Sequence, residues 1–274
     1  MKIGCMIWRI GDRLDFFEQL DWVRGNAFEE VSFWSFPGQP GKWQGFDLVA
    51  AGPGDLARLK RALCDFEDVD IHAPSAPWSD LDTGLASQDS ATQQRALDAL
   101  RRLIERSAEC AAKVLTIHTG QQSGLPHSVW HNRFADSLAK ADSVACQYGV
   151  RIAVELTSDY DLAMAPGLQN IGLTVDTGHM QFHEGAGFRE HGSLGALIEF
   201  VRSRVFHMHM HDYDGKDDHL AIGSGHINFQ EILRALRRIG YNGSLCLELN
   251  PAVVGPDEIL ESREVLARMI ANLS

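Results

Sequence analysis

Eight strand-like runs alternate with amphipathic stretches along the whole chain, and most of the runs end on or beside a histidine or a carboxylate. The runs are residues 2–8, 30–35, 69–72, 114–118, 151–155, 172–176, 205–211 and 245–249. Residues 91–111 carry Leu97, Leu100, Leu103 and Ile104 at helical spacing. Residues 132–148 and 257–273 show the same pattern, and Asn228-Phe-Gln-Glu231 has the form of a capping box that opens a helix stopping at Gly240. After Glu155 the spacing allows only a short helix over 159–165, and the Gly- and Pro-rich stretch 37–54 is expected as a long loop. Repeated strand–helix units favour a parallel sheet with helices outside it. Eight such units with no linker predict an α/β fold, a single (β/α)8 TIM barrel forming one domain over residues 1–274; ~250 residues is the usual size of such a barrel.

Closure of a parallel barrel brings every strand end to one face. The side chains that would converge there are His72, His118, Glu155, Asp176, His179, His209, Asp217, His219 and Glu248. Glu155 and Glu248 each follow an apolar run, and a buried carboxylate is costly unless it is paired or binds a metal. Two carboxylates capping loop amides are the simpler alternative. Asp176-x-x-His179 turns the chain through Thr-Gly and returns His179 to the same face, although Asp176 could equally be a helix N-cap. His207, His209 and His211 share one strand face because side chains alternate. At successive depths they cannot all reach one ion, so His209 is the expected ligand, His207 a core or orienting histidine, and His211 a substrate or rim residue. Alone, His72 and His118 would be core histidines. With Glu155 they make a two-histidine, one-carboxylate site suited to zinc-like ions. Trp8, Trp34 and Trp78 could pack the core or form an apolar floor for a sugar ring. His127, His131, His183 and His191 are expected at the surface.

The charge balance narrows the choice of partner. Lys and Arg number 25 against 37 Asp and Glu, a formal net charge of −12, which disfavours nucleic acid. No phosphate-cradling glycine motif is present. The five cysteines, Cys5, Cys64, Cys110, Cys146 and Cys246, form no C-x-x-C pair and suit a reducing compartment. With no membrane-length apolar run, a cytoplasmic location and no membrane partner are the expectations. Self-association is left open.

The last third of the chain, from VDTGH to HMHMHDYDGKDDHLAIGSGHINFQEILRALRRIGYNGSLCLELN, carries a resemblance. It resembles the xylose isomerase-like TIM-barrel superfamily, which includes sugar-phosphate isomerases and epimerases, ketose 3-epimerases, inosose dehydratases and isomerases, and endonuclease IV. In epimerase-like members a single divalent ion is held by Glu, Asp, His and Glu, and by motif these fall on Glu155, Asp176, His209 and Glu248. The two glutamates there also serve as the acid/base pair. Endonuclease IV holds three zinc ions, and its extra ligand positions fall on His72, His118, His179, Asp217 and His219. The interval from His209 to Asp217 is shorter here than in that family.

The resemblance and the residues together predict a divalent-metal-dependent isomerase or epimerase of a sugar, sugar acid or cyclitol. Glu155 and Glu248 would exchange a proton through a metal-stabilised enediolate, and His179, His211, Trp8 and Trp34 would bind substrate. One to three ions are expected, zinc or manganese first, magnesium or cobalt next. A dehydratase would use the same parts. The alternatives are a multinuclear zinc phosphoesterase and a non-catalytic barrel with vestigial ligands.

Overall fold

The computed structural model describes residues 1–11, 15–39, 44–75, 79–119, 125–156, 164–182 and 190–273. The strands are β1 (Lys2–Ile7), β2 (Glu30–Trp34), β3 (Asp68–His72), β4 (Val114–Ile117), β5 (Arg151–Glu155), β6 (Ile171–Asp176), β7 (Val205–Met210) and β8 (Ser244–Leu247). They pair in parallel, in sequence order, and β8 closes onto β1. The described helices are α1 (Phe16–Gly25), α2 (Pro53–Leu63), α3 (Leu81–Leu85), α4 (Ser90–Glu109), α5 (His127–Tyr148), α6 (His179–Phe182), α7 (Leu194–Val201), α8 (Phe229–Arg238) and α9 (Pro256–Ala271). The chain is thus the (β/α)8 barrel that the alternation predicts. Among the described residues no helix is long and apolar enough to cross a membrane.

The strand sequences explain the two-sided burial. In β3, Asp-Val-Asp-Ile-His, the apolar Val69 and Ile71 join the main core with the helices. The alternate residues Asp70 and His72 are buried too, but they make polar contacts across the barrel. The run His-Met-His-Met in β7 repeats the pattern, with Met208 and Met210 in the core and His207 and His209 among the carboxylates. Side-chain alternation sends the two sets to opposite faces of the sheet. Leu100, Leu103 and Ile104 of α4 and Leu233 and Leu236 of α8 complete the outer core. Each such fully buried side chain is worth roughly 1.5–3 kcal/mol.

Two local features depart from expectation. Helix α8 does start at an Asn228 cap, whose side chain accepts from the Glu231 amide at 3.2 Å. The Glu231 carboxylate does not complete a capping box and instead accepts from Ser193 ahead of α7. A tertiary partner thus outcompetes the local one. The stretch 37–54 is not loop throughout, because α2 begins at Pro53, a residue whose fixed φ suits the first helical turn. The short helix expected over 159–165, Trp78 and His183 lie outside the described residues, apart from Met164 and Ala165.

Candidate active site

β3, β5 and β6 end on His72, Glu155 and Asp176; His209 lies near the end of β7, and His118 and Glu248 directly follow β4 and β8. The barrel therefore gathers these six residues at one mouth. Glu155 is its hub. Its Oε2 lies 3.1 Å from His72 Nε2 and 3.2 Å from His118 Nε2, and its Oε1 lies 2.8 Å from His179 Nδ1.

The other half of the mouth centres on His209. Its Nδ1 is 2.8 Å from Glu248 Oε2, 3.7 Å from Glu155 Oε2 and 3.8 Å from Asp176 Oδ2. Even the shortest of these approaches lacks hydrogen-bond alignment. Asp176 Oδ2, Glu248 Oε2 and both ring nitrogens of His209 are buried without a hydrogen-bond partner among the described residues. Buried polar atoms are seldom left this way, and such a cluster calls for an ion, a water or a functional role. Three carboxylates and an imidazole aimed at one region are also a donor set that suits zinc or manganese. The residues present therefore fit a divalent ion.

His72 adds an independent sign. Its Nδ1 lies 3.0 Å from the Ala73 carbonyl, which can only accept, so Nδ1 carries the proton. In the neutral ring, Nε2 then turns a lone pair toward the Glu155 carboxylate. Burial pushes the His72 pKa down and so favours that neutral ring. A cation bridging His72, His118 and Glu155 would remove the repulsion, and the ligand atoms of these three lie within 4.8 Å of one another.

Electrostatics in the mouth is mutual. Burial opposes ionisation of Glu155, but His118 and His179 hold its carboxyl well below the usual range. Burial likewise opposes charge on His209, yet Glu248, Glu155 and Asp176 push its pKa up to about 10. Glu248, pushed up by burial, is drawn down by His209 to about 2.

Asp176 divides the work of its two carboxylate oxygens. Its Oδ1 accepts from the His179 amide at 2.7 Å, the helix-capping bond, and faces His211 Nε2 at 2.7 Å. Only Oδ2 is left for the mouth. His211 has a different place from the substrate-binding one expected. It is fully buried, and its Nδ1 accepts from the His219 amide at 2.8 Å, which leaves the Nε2 proton for Asp176. Both ring nitrogens are used in orienting the carboxylate. Gly178 makes room for this ring, since a Cβ there would lie 2.1 Å from His211 Cε1.

The loop after β7 is organised by Asp212. Its carboxylate accepts from the amides of Gly223 at 2.9 Å, Gly225 at 2.8 Å and Ile227 at 3.1 Å, which is what the G-S-G-H-I run supplies. That closure brings His219 over His211, with ring centroids 4.0 Å apart and stacked, and 4.9 Å from the His179 ring. Asp217 is not brought to the mouth. Its side chain is 58% exposed and pairs with Lys216 at 2.9 Å. Asp218, which sequence reasoning missed, lies there instead, 3.2 Å from His219 Nδ1 and 3.7 Å from His179 Nε2. Of two adjacent aspartates, the turn decides which faces inward; motif spacing alone does not.

Trp8 packs its edge against His219, with centroids 5.3 Å apart. Trp34 is buried and stacks on His72 at 3.7 Å, so that face of the indole backs a histidine and is not open to a sugar ring.

A family model described as xylose isomerase-like TIM barrel matches residues 30–269. An uncharacterized protein of Methanocaldococcus jannaschii is 28% identical over 222 residues, which cover 72% of this chain and 71% of that protein. L-ribulose 3-epimerase of Mesorhizobium japonicum is 24% identical over 232 residues, 74% of this chain and 71% of that enzyme. A solved structure of IOLI protein with a binding zinc atom shares the fold at a TM-score of 0.77 and 15% identity, covering 100% of this chain and 99% of that one. The match from residue 30 to residue 269 spans the strands that carry the mouth, and the chain belongs to the xylose isomerase-like TIM barrel family.

Proposed function

We propose that this protein is a divalent-metal-dependent isomerase or epimerase acting on a sugar, a sugar acid or a cyclitol. The observation that carries the reading is the set of unsatisfied ligand atoms of Asp176, His209 and Glu248 facing Glu155 at the mouth. The similarity to L-ribulose 3-epimerase and to a zinc-binding barrel supports it. When bound, the ion would hold adjacent substrate oxygens and stabilise the negative charge of an enediolate. Glu155 and Glu248 come from β5 and from the residue after β8, so they can approach a substrate carbon from different sides. One carboxylate takes the proton and the other returns it, a task that requires both within hydrogen-bond reach of that carbon. His211 fixes the Asp176 carboxylate through its Nε2 proton. His179, partly exposed at the rim, donates to a substrate hydroxyl, and Trp8 bounds the same side.

The test is conversion of a panel of ketoses and inososes in heavy water, with zinc, manganese, cobalt or magnesium supplied. Deuterium should enter the product at the reacting carbon. Conversion without any exchange would overturn proton transfer in favour of direct hydride transfer.

The cluster of His72, His118 and Glu155 favours a second reading, a multinuclear zinc phosphoesterase. Metal content of the mouth separates the two: one ion there supports the isomerase, and three support the esterase. Efficient incision of an abasic-site duplex at physiological salt would make the second reading the leading one.

A further inference from the structure

Beneath the mouth lies another group of ligand-type side chains that the proposed reaction does not use. Glu30 opens β2 and is fully buried, yet both of its carboxylate oxygens lack a hydrogen-bond partner among the described residues. His207 Nε2 is equally buried and unpartnered, 4.0 Å from Glu30 Oε1 and 3.8 Å from Asp70 Oδ2. Those separations are too long for hydrogen bonds. The backbone makes room for the carboxylate: a Cβ on Gly4 would lie 1.3 Å from Glu30 Oε2, so any side chain at that position would displace it. Asp70, by contrast, is satisfied by Ser32 Oγ at 2.8 Å and Thr116 Oγ1 at 3.3 Å.

We propose that Glu30, His207 and Cys246 form a second, zinc-type cation site inside the barrel, separate from the mouth. Their ligand atoms all lie within 4.8 Å of one another. A tetrahedral ion with bonds of ~2.0–2.3 Å holds its ligands roughly 3.3–3.8 Å apart, so a closure of up to about 1.5 Å seats it. One oxygen, one imidazole nitrogen and one sulfur are a donor set for zinc and its neighbours, not for magnesium or calcium. Beside Glu30, Asp70 and His207, though not touching Cys246, lies a cavity of about 20 Å³, room for one ion or one water. It also touches Asp68, Lys113, Arg151 and Ser244 at the strand starts, away from the substrate side. On binding, the Cys246 S–H bond breaks, a sulfur–metal bond forms and the proton passes to solvent. The ion offsets the cost of an unpaired carboxylate in the core. Its charge would lie beneath His209, whose ring centroid is 5.3 Å from that of His207. The inference does not depend on which reaction the mouth performs.

The competing occupants are a proton on Glu30 or a single water. Cobalt tells them apart, because none of the mouth residues carries a thiol. The full chain, with Glu155→Ala, Asp176→Ala and Glu248→Ala to disable the mouth and Cys64→Ser and Cys146→Ser to remove the exposed thiols, is stripped with chelator and titrated with cobalt. A single equivalent should bind with a near-ultraviolet thiolate-to-cobalt absorption band, and Cys246→Ser should abolish the band. No band, or a band unchanged by Cys246→Ser, overturns the site. Should these variants fail to fold, crystals of the unaltered chain grown with zinc decide the matter. An anomalous peak between Glu30 and His207 supports the site, and density of water strength with no anomalous signal overturns it.

Discussion

Charge crowds both rims of this barrel, but the Asp68 cluster at the strand starts is internally balanced and the mouth at the strand ends is not. At the strand starts, Asp68 accepts from Lys2 at 2.7 Å, from Ser244 at 3.0 Å and from Lys113. Each oxygen of that carboxylate has a donor. At the strand ends, Glu155, Asp176 and Glu248 crowd around His209, and buried ligand atoms there stay unmatched. Charges paired within the chain serve the fold. Charges arranged so that protein donors cannot satisfy them store a cost that an ion or substrate can relieve, a known mark of functional sites.

The sharpest way to test this contrast is at Glu248. Glu248→Gln keeps an oxygen able to coordinate but removes the proton carrier. Turnover of a true substrate should fall ~10²–10⁴-fold, the usual share of acid–base catalysis, while metal content by elemental analysis changes little. Equal loss of ion and activity would mean that the glutamate only holds metal.

Metal removal comes next in size. A ligand at 100 times its dissociation constant stabilises the folded state by ~2.7 kcal/mol, and for a chain of this size that is a melting shift of roughly 5 °C. Chelator-stripped protein should regain such a shift in calorimetry when zinc or manganese is added. Asp176→Asn together with His209→Gln should erase the share of it that comes from the mouth. A melting point indifferent to metal would place the mouth on the same footing as the balanced end.

Asp68→Asn should behave in the opposite way. The loss is about 1–2 kcal/mol of stability, discounted because Lys113 is half exposed, with no change in metal content. Burial raises the Asp68 pKa, but hydrogen bonds from Lys113, Lys2 and Ser244 outweigh it and leave the folded pKa below its ordinary value. The stabilisation is therefore complete above about pH 4 and disappears as pH falls through the lowered folded value. Urea melts of both proteins should converge under acid conditions. A gap that persists undiminished at low pH would rule out the ionised pair as its source.

The smallest effect separates neighbours. Asp217→Asn should change stability by less than about 0.5 kcal/mol and leave metal affinity as it was, because the side chain is exposed. Asp218→Asn removes a carboxylate whose pKa is held down to about 2, chiefly by the His219 hydrogen bond, and should weaken binding of any second ion at the rim. Titration calorimetry on the two variants would reverse the assignment if Asp217→Asn proved the weaker binder.

Much of this was legible from one dimension. Alternating periodicities of two and 3.6 residues are local consequences of strand and helix geometry, so the eight units could be read without a structure. Strand ends carrying Glu155, Asp176 and His209 could be recognised for the same reason, since parallel closure sends all of them to one face. Other features depended on contacts between residues far apart in the chain. Whether Asp217 or Asp218 turns inward is set by Asp212 binding amides up to fifteen residues away. His211 became an orienting residue only because the His219 amide, folded back over it, occupies its Nδ1. The burial of Glu30 beside His207 joins β2 to β7, a contact that no local pattern encodes. The sequence by itself determined the barrel and which strand ends bear histidines and carboxylates, because these follow from backbone periodicity. The tertiary structure alone decided which nitrogen and oxygen atoms remain unpaired, because hydrogen-bond satisfaction is settled only when distant strands meet.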